Sequence, residues 1–263
     1  MKWLKRLAII CVSIYAGLIG IIYFVQEGLV FTPTVVTPIH NYGFKGDVDD
    51  LWLDREDGAK LHVVRFNNGG DRGKLLYFHG NGGNNGYSER MAETFTNLGY
   101  EVYGIDYRGY GKSRGDRSEA AMLEDAEYFY DKVSRYGKDE IVIVGWSLGT
   151  VFASHVASER ETKELILFAP MSSAIDIGKR RYPFIPEFIS DYPFRTDQKF
   201  SKIKAPVTIY HGKQDMIVPH ASGIMLKEYF KEDDRFISVE GATHNSIPFD
   251  AQVIEDITLI LGS

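Results

Sequence analysis

The segment Gly145-Trp146-Ser147-Leu148-Gly149 follows the short apolar run Ile141–Val144. If that run is a buried strand and a helix begins after it, the bend between them is forced to be sharp and holds Ser147 at its apex, with the hydroxyl presented for attack. Glycines at 145 and 149 suit this, because a side chain at either position would meet the neighbouring strand or helix. The same pentapeptide also occurs in ordinary loops, so its meaning depends on what accompanies it. A serine hydroxyl becomes a nucleophile when a base takes its proton and a third group holds that base in one tautomer. Polar residues following other apolar runs are the candidates: His79-Gly80-Asn81, Asp106-Tyr107-Arg108, Asp215 and His244. Asp176 is a further carboxylate after a strand. His211, just before Gly212, is expected to pack beneath a strand end, His79 to be a structural hydrogen-bonding residue, and His155, on a face with Leu148, Val151 and Phe152, to be a core histidine. Gly111-Lys112-Ser113 is not a phosphate loop, since the glycine required five positions before Gly111 is Asp106. With one cysteine, Cys11, and no clustered histidines, no disulfide, metal site or cofactor is expected.

The elements that must position these residues are legible as hydrophobic patterns. Leu51–Leu53 and Leu61–Phe66 flank Asp57-Gly58, a turn dipeptide, and predict an antiparallel hairpin. Apolar runs then alternate with helical periodicities. Lys74–Phe78 precedes a helix over Ser88–Leu98, stopped by Gly99, and Val102–Ile105 precedes a helix capped by Ser118 with Met122, Ala126, Phe129 and Val133 on one side. Ile141–Val144 leads into the Ser147 turn and its helix. Leu165–Phe168, Val207–Tyr210 and Phe236–Val239 follow as strands, with helices near Ile224–Phe230 and at the end of the chain. Continuous rather than alternating apolar strands joined by helices predict an α/β fold with a parallel sheet covered on both faces. The stretch Met171–Gln198, rich in proline and aromatics, is too long for a plain connection and is expected to cover the site as a lid.

A chain of 263 residues, 44% hydrophobic, suits one large catalytic domain. Its formal net charge of -6 gives no footprint for nucleic acid. Before that body, Lys2, Lys5 and Arg6 precede the uncharged run Leu7–Val25, which as a helix covers roughly 28 Å, close to a bilayer core. The run is longer than a signal-peptide core and lacks a small-x-small cleavage site, so an uncleaved transmembrane helix is expected. The basic residues before it, and none after it until Lys45, predict a cytoplasmic N-terminus and a body on the far side. The expected organisation is an anchor over 1–30, a linker over 31–47 and a catalytic domain over 48–263, with the lid at about 171–198.

From about Val48 onward the chain resembles an α/β-hydrolase, and within that superfamily it is similar to small membrane-anchored serine hydrolases grouped with acyl-protein thioesterases, lysophospholipases and serine aminopeptidases. The matching segments are His79-Gly80-Asn81-Gly82, Asp106 to Ser113, Gly145 to Gly149, Tyr182-Pro183-Phe184-Ile185-Pro186 and Asp215-Met216-Ile217-Val218-Pro219. The resemblance implies a mostly parallel sheet of about eight strands with helices on both faces and a short lid. It implies Ser147 as nucleophile, His244 as base and Asp215 as the orienting acid, in the chain order Ser, Asp, His. Backbone N–H groups of Leu148 and Asn81 would form the oxyanion hole. Asp176 is the alternative acid. The implied activity is cleavage of an ester or thioester of a lipid-like molecule or an acylated protein. Aminopeptidase activity, or a binding role on a hydrolase fold, are the alternatives.

Overall fold

The computed structural model describes residues 1–67, 69–135 and 140–262. It opens with helix α1 (Lys2–Val30), 29 residues, long and apolar enough to cross a bilayer and with no buried residue in its most apolar stretch. Residues 31–46 then cross the body with no helix or strand longer than a single bridge, Val35 to Gly111.

The hairpin expected around Asp57-Gly58 is present. Strands β1 (Asp47–Asp54) and β2 (Lys60–Asn67) pair antiparallel, Asp47 opposite Asn67 and Asp54 opposite Lys60. Gly58 takes φ 87°, which glycine reaches without a Cβ penalty. Alternation follows: β3 (Gly73–Phe78), α2 (Ser88–Thr96), β4 (Tyr100–Ile105), α3 (Glu119–Ser134), β5 (Ile141–Trp146), α4 (Gly149–Glu159) and β6 (Glu164–Phe168). The chain then leaves the sheet through α5 (Ala174–Arg181), a 3₁₀ turn at Glu187–Ile189 and α6 (Thr196–Phe200). It returns as β7 (Val207–Gly212), α7 (His220–Met225), β8 (Arg235–Val239) and α8 (Ala251–Gly262).

The eight strands form one sheet in the order β1-β2-β4-β3-β5-β6-β7-β8, parallel from β4 to β8. Successive residues of a strand face opposite sides, so a strand covered on both faces must be apolar throughout. Leu76, Phe78, Ile143 and Leu167 point into a core with Met122 and Phe129 of α3 and Phe152 of α4. Leu75, Tyr77, Val142, Val144 and Ile166 point the other way, onto Met91 and Phe95 of α2 and Val253, Ile257 and Leu261 of α8. The Ser118 hydroxyl accepts the Ala121 N–H at 3.1 Å and caps α3, which buries Met122, Ala126, Phe129 and Val133 as their spacing predicts.

One helix differs from expectation. In place of a helix over 224–230, α7 starts at His220 and gives way to a 3₁₀ turn over Leu226–Tyr229. Pro219, with φ fixed by its ring, begins the helix a turn early, and Gly223 then sits where any Cβ would strike the His211 ring. Close docking on the end of β7 therefore takes precedence over the local apolar pattern.

Candidate active site

The site is built from the bend between β5 and α4. Ser147 has φ 54°, a left-handed conformation that costs a non-glycine residue about 1–3 kcal/mol and persists only where its surroundings dictate it. Those surroundings are specific. The Ser147 N–H donates to the Phe168 carbonyl at 2.9 Å, and the Ser147 carbonyl accepts the Thr150 N–H at 3.0 Å and the Thr150 hydroxyl at 2.6 Å. No space is left beside the bend: a Cβ on Gly145 would lie 2.7 Å from that of Ala153, and one on Gly149 would run into the Phe78 carbonyl. Leu148 stands at the start of α4, where first-turn N–H groups have no carbonyl four residues back and point outward.

His244 and Asp215 lie in loops after β8 and β7 and meet in space. The His244 Nδ1 is 2.7 Å from Asp215 Oδ2, and both residues are buried. The other carboxylate oxygen accepts the N–H groups of Ile217 and Val218, each at 2.8 Å. Burial opposes the charge on Asp215, but hydrogen bonds from His211 and His244 and the Ile217 amide outweigh it and hold the carboxyl below the usual carboxylate range. The Trp146 indole donates to the His244 carbonyl at 3.2 Å, which brings the histidine loop alongside the serine bend. Among the described residues Ser147 and His244 form no hydrogen bond with each other; without substrate such contacts are commonly long.

The turn after β3 closes the third side. Gly80 lies so close to the bend that a Cβ there would be 3.5 Å from the Ser147 Cβ. Next to it, the Asn81 side chain donates to the Val30 carbonyl at 2.7 Å and accepts from the Thr32 N–H at 3.1 Å and the Tyr110 hydroxyl at 2.5 Å. His79 is buried, with Nδ1 2.8 Å from the Gly80 carbonyl and its ring against Tyr107, and burial pushes its imidazole below the ordinary value.

The other polar candidates are engaged elsewhere. Asp106 is fully buried: it pairs with His62 Nδ1 at 2.7 Å and accepts the Asn85 and Lys112 N–H groups at 2.6 and 3.1 Å. It pins the loop after β4 from beneath. Lys112 reaches Asp50 at 2.6 Å. Asp176, at the start of α5, binds Arg180 at 2.8 Å, and His155 binds Glu127 at 2.8 Å. His62 escapes notice in the sequence, where His211 is expected only to pack beneath the end of a strand. His211 stands behind Asp215, with Nε2 3.4 Å from its carboxylate and 3.0 Å from the Val218 carbonyl, and His62 lies between Asp106 and Asp50. The only sequence signal for His211 is its position four residues before Asp215 at the end of an apolar run.

Comparison with known proteins agrees with this architecture. The family described as serine aminopeptidase, S33, matches residues 69–190. Alpha/beta hydrolase domain-containing protein 17C of Xenopus laevis is 32% identical over 193 residues, 71% of this chain and 60% of that relative. This chain thus spans less than two thirds of that relative's length. An esterase of Pyrococcus furiosus has the same fold, with a TM-score of 0.70 at 20% identity over 88% of this chain and 98% of its own. A monoacylglycerol lipase of Paleococcus ferrophilus follows at 0.62 and 20%, over 77% and 98% of the two chains. With the strand order, the sharp serine bend and these similarities in agreement, the chain belongs to the α/β-hydrolase superfamily.

Proposed function

We propose that the protein is a serine hydrolase that cleaves carboxylic ester or thioester bonds through an acyl-enzyme on Ser147. The observation that carries this is the 2.7 Å contact between His244 Nδ1 and Asp215, next to a serine held at positive φ. Asp215 keeps the Nδ1 proton, leaving Nε2 to accept the Ser147 proton as Oγ attacks the acyl carbon. The N–H groups of Leu148 and Asn81 receive the oxyanion. The bond to oxygen or sulfur then breaks, and the leaving alcohol or thiol takes the proton from His244. Water repeats the sequence, giving its proton to His244 and its oxygen to the acyl carbon, and Ser147 departs with the proton restored.

Substrate class follows from the surroundings. The stretch 171–198, expected as the lid or cap, carries exposed aromatic rings, Tyr182, Phe184 and Phe188, and meets the last turns of α1 where Gln26 donates to Asp191 at 3.0 Å. An apolar rim beside a membrane-type helix suits a lipid-like acyl substrate or an acylated protein. Recognition of a peptide amino terminus needs carboxylates gathered around one ammonium group, and each of the cap carboxylates has a separate partner, Asp176 through one oxygen only. Asp176 pairs with Arg180, Glu187 with Lys179, Asp191 with Gln26, and Asp197 with Arg195. Ester cleavage is therefore favoured over aminopeptidase activity. We place residues 1–30 as the anchor, with a cytoplasmic N-terminus, and 48–263 as the catalytic domain beyond the membrane.

A serine-reactive fluorophosphonate tests the chemistry on the full chain in detergent. The parent is expected to label and to turn over a p-nitrophenyl ester, and Ser147→Ala and His244→Ala to do neither. An unlabelled folded parent refutes the proposal, and a labelled Ser147→Ala moves the nucleophile elsewhere. For the anchor, carbonate-resistant membrane association should disappear when residues 1–25 are removed; release of the full chain by carbonate contradicts it.

A further inference from the structure

The turn that carries the Asn81 N–H is closed by one backbone hydrogen bond of its own, from the Gly83 N–H to the Gly80 carbonyl at 3.1 Å. Glycine stands at positions 80, 82 and 83, and the space where a Gly82 side chain would project is open. Such a run has high backbone freedom, and an N–H on it points at an oxyanion only if something outside the turn fixes it.

Besides the Tyr110 hydroxyl, which donates to Asn81 Oδ1 at 2.5 Å, what holds it is the segment that leaves the membrane-type helix. The Val30 carbonyl, at the end of α1, accepts the Asn81 amide at 2.7 Å, and the Thr32 N–H donates back to Asn81 Oδ1 at 3.1 Å. Two residues on, the Thr34 hydroxyl donates to the Gly82 carbonyl at 2.9 Å, and the Thr34 carbonyl accepts the Asn84 amide at 3.1 Å. The same strand-like segment is tied to the loop after β4: Gly111 N–H to the Thr34 carbonyl at 3.0 Å, and Val36 N–H to the Gly111 carbonyl at 2.9 Å. Phe31 anchors it from below. Its side chain is 3% exposed and stands edge-on to Tyr192, Phe194 and Tyr110, at 4.8, 6.0 and 6.4 Å between ring centres. Above it, Gln26 exchanges hydrogen bonds with Asp191 at 3.0 and 2.8 Å, and Glu27 pairs with Arg117 at 2.6 Å. The last turn of α1, the segment 30–36 and the turn 80–84 are thus one hydrogen-bonded unit.

We infer that Val30–Val36 is a strap that sets the oxyanion turn, with the side chains of Asn81 and Thr34 as positioning residues, so that the end of the membrane helix and the catalytic turn move as one piece. The inference rests on the proposal that the Asn81 N–H receives the oxyanion. The strap never meets substrate. It acts on the rate of the chemical step by holding a donor that reacts with nothing itself, and an error in that position of about 1 Å is worth up to about 10²-fold in rate.

The test uses the full chain in detergent micelles, with Asn81→Ala, Thr34→Val and Thr34→Ser beside the parent. Readouts are kcat and KM for a short p-nitrophenyl ester, the inhibition constant of a trifluoromethyl ketone that mimics the tetrahedral adduct, and the melting temperature. Asn81→Ala should lower kcat by about 10²-fold and Thr34→Val by about tenfold, each with KM unchanged and the ketone weakened in parallel. Thr34→Ser, which keeps the hydroxyl, should restore the parent values. A role confined to stability would lower the melting temperature and leave kcat per folded molecule and the ketone constant alone. If Asn81→Ala does not fold, Thr34→Val, which preserves shape, carries the comparison. An active parent whose Thr34→Val variant retains both kcat and ketone affinity overturns the strap alone. A folded parent that neither labels nor turns over ester overturns the hydrolase proposal, and the strap's catalytic role with it.

Discussion

Replacing Asp215 by asparagine removes one negative charge and almost no volume, and the structure dictates how the new amide must sit. Asp215 Oδ1 accepts two backbone N–H groups, from Ile217 and Val218, each at 2.8 Å. Turning an NH₂ toward them would leave both donors without an acceptor, at about 1–3 kcal/mol for the buried Val218 N–H alone. The amide oxygen therefore stays there and the NH₂ takes the place of Oδ2, 2.7 Å from His244 Nδ1. Facing a donor, a neutral His244 must accept at Nδ1 and carry its proton on Nε2, the nitrogen that in the proposed mechanism receives the Ser147 proton. In serine proteases with a Ser-His-Asp triad this inversion of tautomer costs about 10⁴ in kcat, or about 5 kcal/mol of transition-state stabilisation. His211 adds to the effect. Its Nε2 is 3.0 Å from the Val218 carbonyl and so carries a proton, which would also face the new NH₂.

The assay is p-nitrophenyl ester turnover, run beside the rate of fluorophosphonate labelling. Asp176→Asn serves as the comparison, because Asp176 binds Arg180 in the cap. Asp215→Asn is expected to lose about 10⁴ in kcat with its fold retained, and Asp176→Asn to match the parent. An Asp215→Asn enzyme within about tenfold of the parent would refute the tautomer reasoning. Stability provides an independent check. Asp215 titrates below its ordinary value when folded. Its ionised form therefore stabilises the fold above the unfolded carboxylate pKa, about 3.9, and that contribution is lost as pH falls through the folded value. The melting-temperature gap between parent and Asp215→Asn should be full at neutral pH and close in acid.

Gly149→Ala would drive a methyl group into the Phe78 carbonyl and to 2.8 Å from that of His79, displacing the end of β3 and the turn beyond it. A destabilisation of about 1–3 kcal/mol by denaturant titration is expected, with a larger proportional loss of activity than of stability; unchanged kcat would show that the bend has slack. Glu164 is buried on β6 beside Thr208 Oγ1 at 3.1 Å, and burial pushes its carboxyl up to about 7. Between the ordinary carboxylate value and about 7 the folded chain keeps a proton that the unfolded chain releases, so parent stability falls as pH rises through that window and then levels. Glu164→Gln removes the titration and should gain roughly 2–3 kcal/mol on the parent between pH 4.5 and pH 8 by thermal melting; a difference independent of pH would contradict it.

The chain order of elements was legible because both periodicities are strong. Strands buried on two faces must be apolar at every position, as Leu75–Phe78 and Ile141–Val144 are, and the stripe Met122, Ala126, Phe129, Val133 marks a helix with one buried side. The serine bend was legible for the same local reason, since glycines at 145 and 149 are needed only where two elements cross without room for a side chain. The split of α7 was not, because it depends on Gly223 meeting His211 across the sheet edge.

Around the site, residue types and order were set by the sequence alone: a serine in a tight bend, with an aspartate and a histidine after later strands. Tertiary structure alone decided who meets whom. It put His244 on Asp215, sank Asp106 onto His62, and tied Asn81 to Val30 and Thr32. Periodicity reports which face of an element is buried. A hydrogen bond between residues fifty positions apart leaves no such trace, because it depends on where two separately formed turns come to rest on the sheet.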